Sequence, residues 1–437
     1  MTALADTLKN LELVVGEGHL LTATDTVSSY RLDGQQPLGV VAPGSREEVA
    51  AILKAATQAR FTVLVRGAGR HLHLGSPPGP IGLVMSLARL KRIVEYDAEN
   101  LTVTAEAGVT LDEVQRLVGQ RGQMLPLDPP GSDQATLGGI AATNLAGPLR
   151  MRYGAPRDLL IGLRVALADG SLVKTGGKTV KNVAGYELGK LFIGSFGSLG
   201  AICEVTVRLA PVPEARAMLA AVMPLERAGE LAAQLLASRL DVGNLSVCNY
   251  AAVRRMGMSL PITPTTQMWV MCAGLLGDRQ AIARQERDIR GLVGSGCGRV
   301  DGEEALAAWD GLREAPYPRD PSAIVTRAGV PPAAACEIAG IAGQWDKWWL
   351  TYRAGDGLVY LGPPAGLPEA EAQARLTTLR KLAEEQGGYL VLESGPTGMK
   401  RSFGVWGEVQ NLDLMQLLKE SYDPEGTLGC GRFVGGL

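Results

Sequence analysis

Residues 176–202, GGKTVKNVAGYELGKLFIGSFGSLGAI, hold seven glycines among Lys178, Lys181, Asn182, Tyr186 and Ser195. Glycine at that density lets backbone approach a ligand closely, and its bare N–H groups can meet a phosphate or a flat ring. Two more such segments precede it, VRGAGRHLHLG at 65–75 and ATLGGIAATNLAG at 135–147. Any one of them reads equally well as a turn or a tight packing contact. Three in one region point to a long ligand with a diphosphate in its middle. Proton chemistry is more restricted, because the chain has three histidines, His19, His71 and His73, and none beyond position 73.

The six cysteines are scattered and form no Cys-x-x-Cys pair, so neither a zinc site nor an iron–sulfur cluster is written here. Most read as small buried apolar residues. Lys178, Lys181, Arg150 and Arg152 can be solvated surface, with Lys181 beside Asn182 the candidate exception. Trp345, Trp348, Trp349 and Trp406 cluster in GQWDKWWLTYR and SFGVWGE, where core packing and a partner interface are both open readings.

The elements that must hold these loops alternate along the first 213 residues. After a helix over 4–15, LGVVAP is a short strand, and Ser45 with Glu48 caps a helix whose apolar face is Val49, Ile52, Leu53 and Ala56. FTVLV at 61–65 is a buried strand ending in the first glycine loop. GLVMSL and KRIVEY are strands, and LTVTAEA at 101–107 alternates as a half-exposed strand should. Thr110 and Glu113 cap the next helix. LIGLRVALADG followed by SLVKTGG reads as a hairpin turning at Asp169-Gly170. CEVTVRLAP closes the region, and Pro211 and Pro213 mark a boundary.

Beyond it, strands near 217–223, 244–249 and 267–274 and helices near 225–239 and 278–293 form one round of β-α-β-β-α-β. Strands near 323–328, 347–353, 357–361 and 388–393, with helices near 331–342 and 368–386, form a second, which predicts a duplicated ferredoxin-like cap. The Gly- and Pro-rich stretch 294–322 joins the rounds. The domains expected are therefore 1–213, a cap over 214–395, and a segment 396–437 that returns to the first domain.

With 437 residues, 46% hydrophobic and 20% charged, the chain is long and apolar enough for two or more folded domains. A net charge of −2 without blocks of like charge argues against a nucleic-acid partner. No run approaches a membrane span and no leader precedes the first helix, so a cytoplasmic protein is expected, touching membrane only through partners.

Five segments, VRGAG, DPPGSDQATLGGIAATNLAG, RYGAPRDLLIG, KTVKNVAGYELGKLFIGSFGSLGAI and DPEGTLGCGRF, occur in this order. Together they resemble the flavoproteins of the vanillyl-alcohol oxidase type, with the PCMH FAD-binding fold. Within that group the resemblance is to the FAD-binding E subunits of bacterial glycolate oxidase. It implies an α+β fold, with a two-subdomain FAD-binding domain and a cap, and it implies FAD. Arg66, Gly67, Ala68 and Gly69, followed by Arg70 and His71, would form the nest for the diphosphate. Pro129, Thr136, Leu137, Gly138, Gly139 and Gly147 would line the cofactor, with Thr143 and Asn144 bonding its ring or ribityl chain. Lys181 and Asn182 would join them, and Gly200 and Ile202 would run beside the adenine or ribose. Several relatives attach FAD covalently through a histidine directly after the loop glycines. Here Arg70 holds that place, so FAD is expected to be noncovalent.

The substrate-oxidising relatives carry His-x-Gly-Asp-Gly-Asn-x-His and Gly-Glu-His-Gly in the cap, holding a metal and supplying a base. The corresponding segments are YRAGDGLVYLG at 352–362 and ESGPTGMK at 393–400. Arg353 and Tyr360 stand at the paired histidines, and Pro396 and Thr397 replace the glutamate and histidine. No catalytic or metal-binding residue is therefore expected. The resemblance then implies an electron-transfer subunit of a glycolate dehydrogenase complex, partnered by a substrate-oxidising FAD subunit and an iron–sulfur subunit. Two alternatives stay open. One is a self-contained oxidoreductase in which Tyr360, Tyr352 or Arg353 orients an acidic substrate; the other is a scaffold that keeps FAD as structure.

Overall fold

The computed structural model describes residues 2–177, 187–258, 260, 262, 265–294 and 296–437, with side chains from residue 7 onward. Lys178, Lys181, Asn182 and Tyr186 lie outside the described residues.

Two sheets make the first part of the chain. Gly39–Val41, Leu83–Ser86 and Val63–Arg66 run parallel, and Leu20–Leu21 adds an antiparallel edge. Parallel neighbours need crossovers, and helix Arg46–Gln58 supplies one. Its N-terminus is fixed by Ser45, whose Oγ accepts from Glu48 N at 3.1 Å. The second sheet is antiparallel, in the order Ile93–Asp97, Thr102–Glu106, Ala201–Arg208, Leu160–Ala166, Leu172–Gly176. A single apolar core packs both sheets against helices Arg46–Gln58 and Leu111–Gly119. Thr110 and Glu113 close a reciprocal capping box on the latter.

Thr102–Glu106 departs from its alternating pattern, because all five residues are buried. It lies inside the sheet, and the polar side chains on its second face are paired rather than solvated. Thr104 Oγ1 meets Thr206 Oγ1 at 2.9 Å, and Glu106 accepts from Arg92 N at 2.9 Å and Arg92 Nη2 at 2.6 Å. Polarity alone did not separate a wet face from a satisfied one.

Residues 215–394 build one eight-stranded sheet. Its first half contains Ala215–Met223, Val242–Asn249, Trp269–Gly277 and Cys297–Asp301, arranged 4-1-3-2; its second contains Val325–Gly329, Trp349–Arg353, Leu358–Gly362 and Tyr389–Ser394 with the same order. This is the ferredoxin-like arrangement twice over, fused where Val247 of the first half pairs with Tyr352 of the second. Helices Leu225–Ala237, Arg279–Val293, Pro332–Gly343 and Glu369–Glu385 cover one face. Trp348 is buried there, and Trp349 faces the other side of the sheet.

The stretch 294–322 is not a plain linker. It holds strand Cys297–Asp301 and helix Gly302–Glu314, whose Ala305, Ala308, Trp309 and Leu312 are buried at helical spacing. The glycines around it at 294, 296, 298 and 302 obscured that periodicity. This helix covers the second face of the sheet, the one turned toward Asp128.

The C-terminal segment lies on the first sheet. Val63 N donates to Thr427 O at 2.6 Å, and Lys419, buried beside Asp423 at 2.5 Å, donates to Ser198 O and Leu428 O at 2.9 Å each. Among the described residues, no helix is long and apolar enough to cross a membrane.

Candidate functional site

Strand Val63–Arg66 delivers the chain into a loop whose glycines are there for space. A Cβ on Gly67 would lie 2.2 Å from Thr136 Oγ1, and Gly69 has φ +81°. The loop 66–72 and the segment 135–143 therefore touch, and they share one cavity. Arg66, Gly67, Ala68, Gly69, Arg70, His71, Thr136, Gly139, Thr143, Phe196 and Arg432 border it. Among the described residues, nothing accepts from the N–H groups of Gly67, Ala68, Gly69, Arg70 or His71. Successive free N–H groups on glycine-rich backbone fit a diphosphate, so this cavity suits FAD.

Not every residue expected to line the cofactor faces this cavity. Leu137 is buried in the core and donates its N–H to Val109 O at 2.9 Å. Gly138 donates to Ala107 O at 2.8 Å, and a Cβ there would lie 2.7 Å from Ala107 Cβ. Both pack the helix Leu137–Thr143 onto the sheet. That helix has only seven residues, and Thr136 Oγ1 already accepts from Gly139 N at 3.3 Å, so its end offers little to an anion. Asn144 closes the helix at φ +52° and accepts from Arg157 N at 3.0 Å. Gly147 lies against Asp128 O, where a Cβ would approach to 1.8 Å; Gly200 lies against Val165 in the same way at 2.5 Å. Ile202 is buried in its strand opposite Val165. Pro129 is buried in the loop below.

His71 is buried, and its Nε2 donates to Pro130 O at 2.8 Å. Burial pushes its imidazole down, and it pushes that of His73 down to about 3, so both are neutral. His73 stands edge-on to Tyr317 at 5.4 Å. Arg70 donates to Asp133 at 2.9 Å and lies over the Tyr317 ring at 5.3 Å. Tyr317 in turn donates to Arg70 O at 2.9 Å, and Gly131 N donates to Glu314 Oε2 at 2.9 Å. The cap thus holds the loop 66–73 and the turn at Gly131.

Facing these loops, the cap sheet presents a polar strip. Arg353 is buried, with Nη1 to Ala146 O at 3.3 Å and Nη2 to Tyr360 Oη at 3.4 Å and to Asp356 Oδ2 at 3.1 Å. Arg327, opposite Tyr360 on the strand beyond Leu358–Gly362, donates to Glu393 Oε1 at 2.5 Å and to Tyr389 Oη at 2.7 Å. Burial raises the Tyr360 phenol, so it is a donor rather than a phenolate. Tyr352 belongs to the opposite face and packs in the helix-covered core. Thr397 donates to Asp33 Oδ1 at 3.2 Å, and Lys400 donates to both oxygens of Asp33 at 3.2 and 3.1 Å.

Asp128, Arg327, Glu393 and Arg432 were not singled out by sequence reasoning. Asp128 and Arg432 lie inside quoted motifs, and Glu393 opens another, yet only topology places them beside the site. Asp128 is buried, accepts from Leu149 N at 3.0 Å and from Trp309 Nε1 at 3.2 Å, and burial pushes its carboxyl up to about 7.

The model of the FAD binding domain matches residues 37–176. The chain is 29% identical to the glycolate oxidase subunit GlcD of Bacillus subtilis, covering 95% of this chain and 92% of that one. It is 30% identical to a D-lactate dehydrogenase of Archaeoglobus fulgidus, covering 93% and 95%. Against the glycolate oxidase subunit GlcE of Escherichia coli the identity is 35%, over 41% of this chain and 51% of that one. In fold it is similar to p-cresol methylhydroxylase, with a TM-score of 0.75 at 16% identity over 98% of this chain and 96% of that one. A full-length match to a D subunit stands beside a partial one to an E subunit, so likeness alone does not single out the E type. The chain belongs to the family of FAD-dependent oxidoreductases that includes the glycolate oxidase subunits and D-lactate dehydrogenase.

Proposed function

We propose that this chain is an FAD-binding electron-transfer subunit of a 2-hydroxy-acid dehydrogenase complex of the glycolate oxidase type, and that a sister flavoprotein oxidises the substrate. Bound FAD supplies the redox chemistry. The observation that supports the reading is the polar strip of the cap sheet, where Arg353 and Tyr360 stand at the places at which a base would be needed. A base for an alcohol proton needs a pKa near neutrality and a free lone pair beside the reacting carbon. Arg353 has no lone pair to offer, Tyr360 keeps its proton, and His71 and His73 are held under Pro130 and Tyr317.

Noncovalent FAD belongs to the same reading, because Arg70 is engaged by Asp133 and Tyr317 and His71 by Pro130. So do the division into a cofactor domain, cap and returning C-terminus, and the iron–sulfur partner that would receive the electrons. The test is steady-state dye reduction by the purified, FAD-loaded chain with glycolate and with D-lactate. No turnover above free FAD is expected, and enzymatic turnover would overturn the reading.

A self-contained oxidoreductase is the second reading, and Asp128 is the observation that favours it. A carboxyl with a pKa of about 7 could act as a base. Both its oxygens are already taken by Leu149 and Trp309, which favours a structural role.

A further inference from the structure

Arg432, in the C-terminal DPEGTLGCGRF, is 5% exposed, yet among the described residues it has no ion-pair partner. Its Nη2 donates to Leu72 O at 2.7 Å and also to Leu74 O, while its Nε has no hydrogen-bond partner. The carboxylate that acts on it is Asp33, and both oxygens of Asp33 are occupied by Lys400. Two enclosed cations, Lys400 and Arg432, therefore share one enclosed carboxylate. An isolated buried charge costs several kcal/mol unless an opposite charge meets it. Here the unmatched cation borders the cavity formed by loop 66–72, Thr136, Thr143 and Phe196. Arg66 borders it too, lying over the Tyr30 ring at 4.6 Å with no acidic partner among the described residues.

We propose that Arg432 is a binding residue for the diphosphate of FAD, so that the C-terminal segment completes the cofactor site. The cavity then holds two unmatched guanidinium groups for a ligand segment carrying two negative charges. The two carbonyl contacts fix the Arg432 fork at the border of the cavity, and a guanidinium suits phosphate better than an ammonium does. The assignment does not depend on whether the chain oxidises a substrate itself.

The experiment titrates the full-length apoprotein with FAD, with ADP, which carries the diphosphate without the flavin, and with riboflavin, which carries the flavin without phosphate. Arg432→Gln should weaken FAD and ADP alike, by roughly 10- to 100-fold as for a charge-assisted hydrogen bond, and riboflavin less than about 2-fold. Arg432→Lys should bind FAD and ADP more tightly than Arg432→Gln. Unchanged ADP affinity, or equal loss for ADP and riboflavin, would overturn the proposal. Should Arg432→Gln fail to fold, hydrogen exchange on the wild-type chain decides. ADP, but not riboflavin, must slow exchange across 428–433, and an absence of slowing is contrary to the assignment.

Discussion

Asp128, in the loop that precedes the segment 135–143, accepts a hydrogen bond at 3.2 Å from the indole N–H of Trp309 on the cap helix Gly302–Glu314. The same helix end reaches Gly131 through Glu314, and Tyr317 just beyond it reaches Arg70. Three contacts from one short stretch of cap therefore fix the loop at Arg70 and residues 128–131, which lead into the segment 135–143. Cap position and cofactor-loop geometry are mechanically linked.

That link is sensitive to pH. The Asp128 carboxyl is raised from an ordinary value near 4 to about 7 because burial penalises its charged form. The folded state then holds a proton that the unfolded state releases, so its stabilising effect is full below pH 4 and is lost as pH rises to 7. A carboxyl moved that far is worth up to about 4 kcal/mol. His73, lowered to about 3, acts oppositely and costs stability as pH falls below 6.5. Between pH 5 and 8, Asp128→Asn should show a smaller alkaline loss in Tm than the wild type. Parallel Tm curves for the two proteins would show that Asp128 does not titrate in this range.

Gly138 and Gly139 are adjacent and should fail in different ways. A Cβ on Gly138 meets Ala107 at 2.7 Å, whereas one on Gly139 meets only Thr136 Oγ1 at 3.2 Å and opens toward the cavity. Gly138→Leu should overpack the helix–sheet contact and lower stability by roughly 1–3 kcal/mol or more. Gly139→Leu should keep the apoprotein Tm within a few degrees and lose the flavin absorbance near 450 nm, about which visible spectra of the purified variants decide. Full flavin content in Gly139→Leu would contradict the placement of the cofactor.

Glu393 is buried against Arg327, and its removal leaves a largely enclosed guanidinium bonded only to Tyr389. Breaking fully buried pairs typically costs about 3–5 kcal/mol, and Arg327 keeps some solvent, so Glu393→Gln should cost roughly 2–4 kcal/mol in urea unfolding. A change below about 0.5 kcal/mol would mean that water already screens this pair.

Much of this was legible in the residues. The strand into VRGAG, the cap at Ser45, the capping box at Thr110, and the second β-α-β-β-α-β round follow from periodicity and local hydrogen-bonding rules, whereas the fourth strand of the first round, Cys297–Asp301, lay in the stretch read as a joint. Helix Gly302–Glu314 was hidden because flanking glycines mask a two-turn apolar stripe. The glycines could not be sorted by sequence, since Gly67 and Gly138 look alike until Thr136 and Ala107 are placed beside them. Arg327, Glu393 and Arg432 acquire meaning only from neighbours 66 to 360 residues away, which no local pattern encodes.

The most direct test of the central claim is an anaerobic single-turnover experiment on the FAD-loaded chain alone. Glycolate or D-lactate should leave the oxidised flavin spectrum unchanged over minutes, while the assembled complex bleaches it. Rapid bleaching in the isolated chain would show that it removes hydride from substrate itself, and the electron-transfer account would fail.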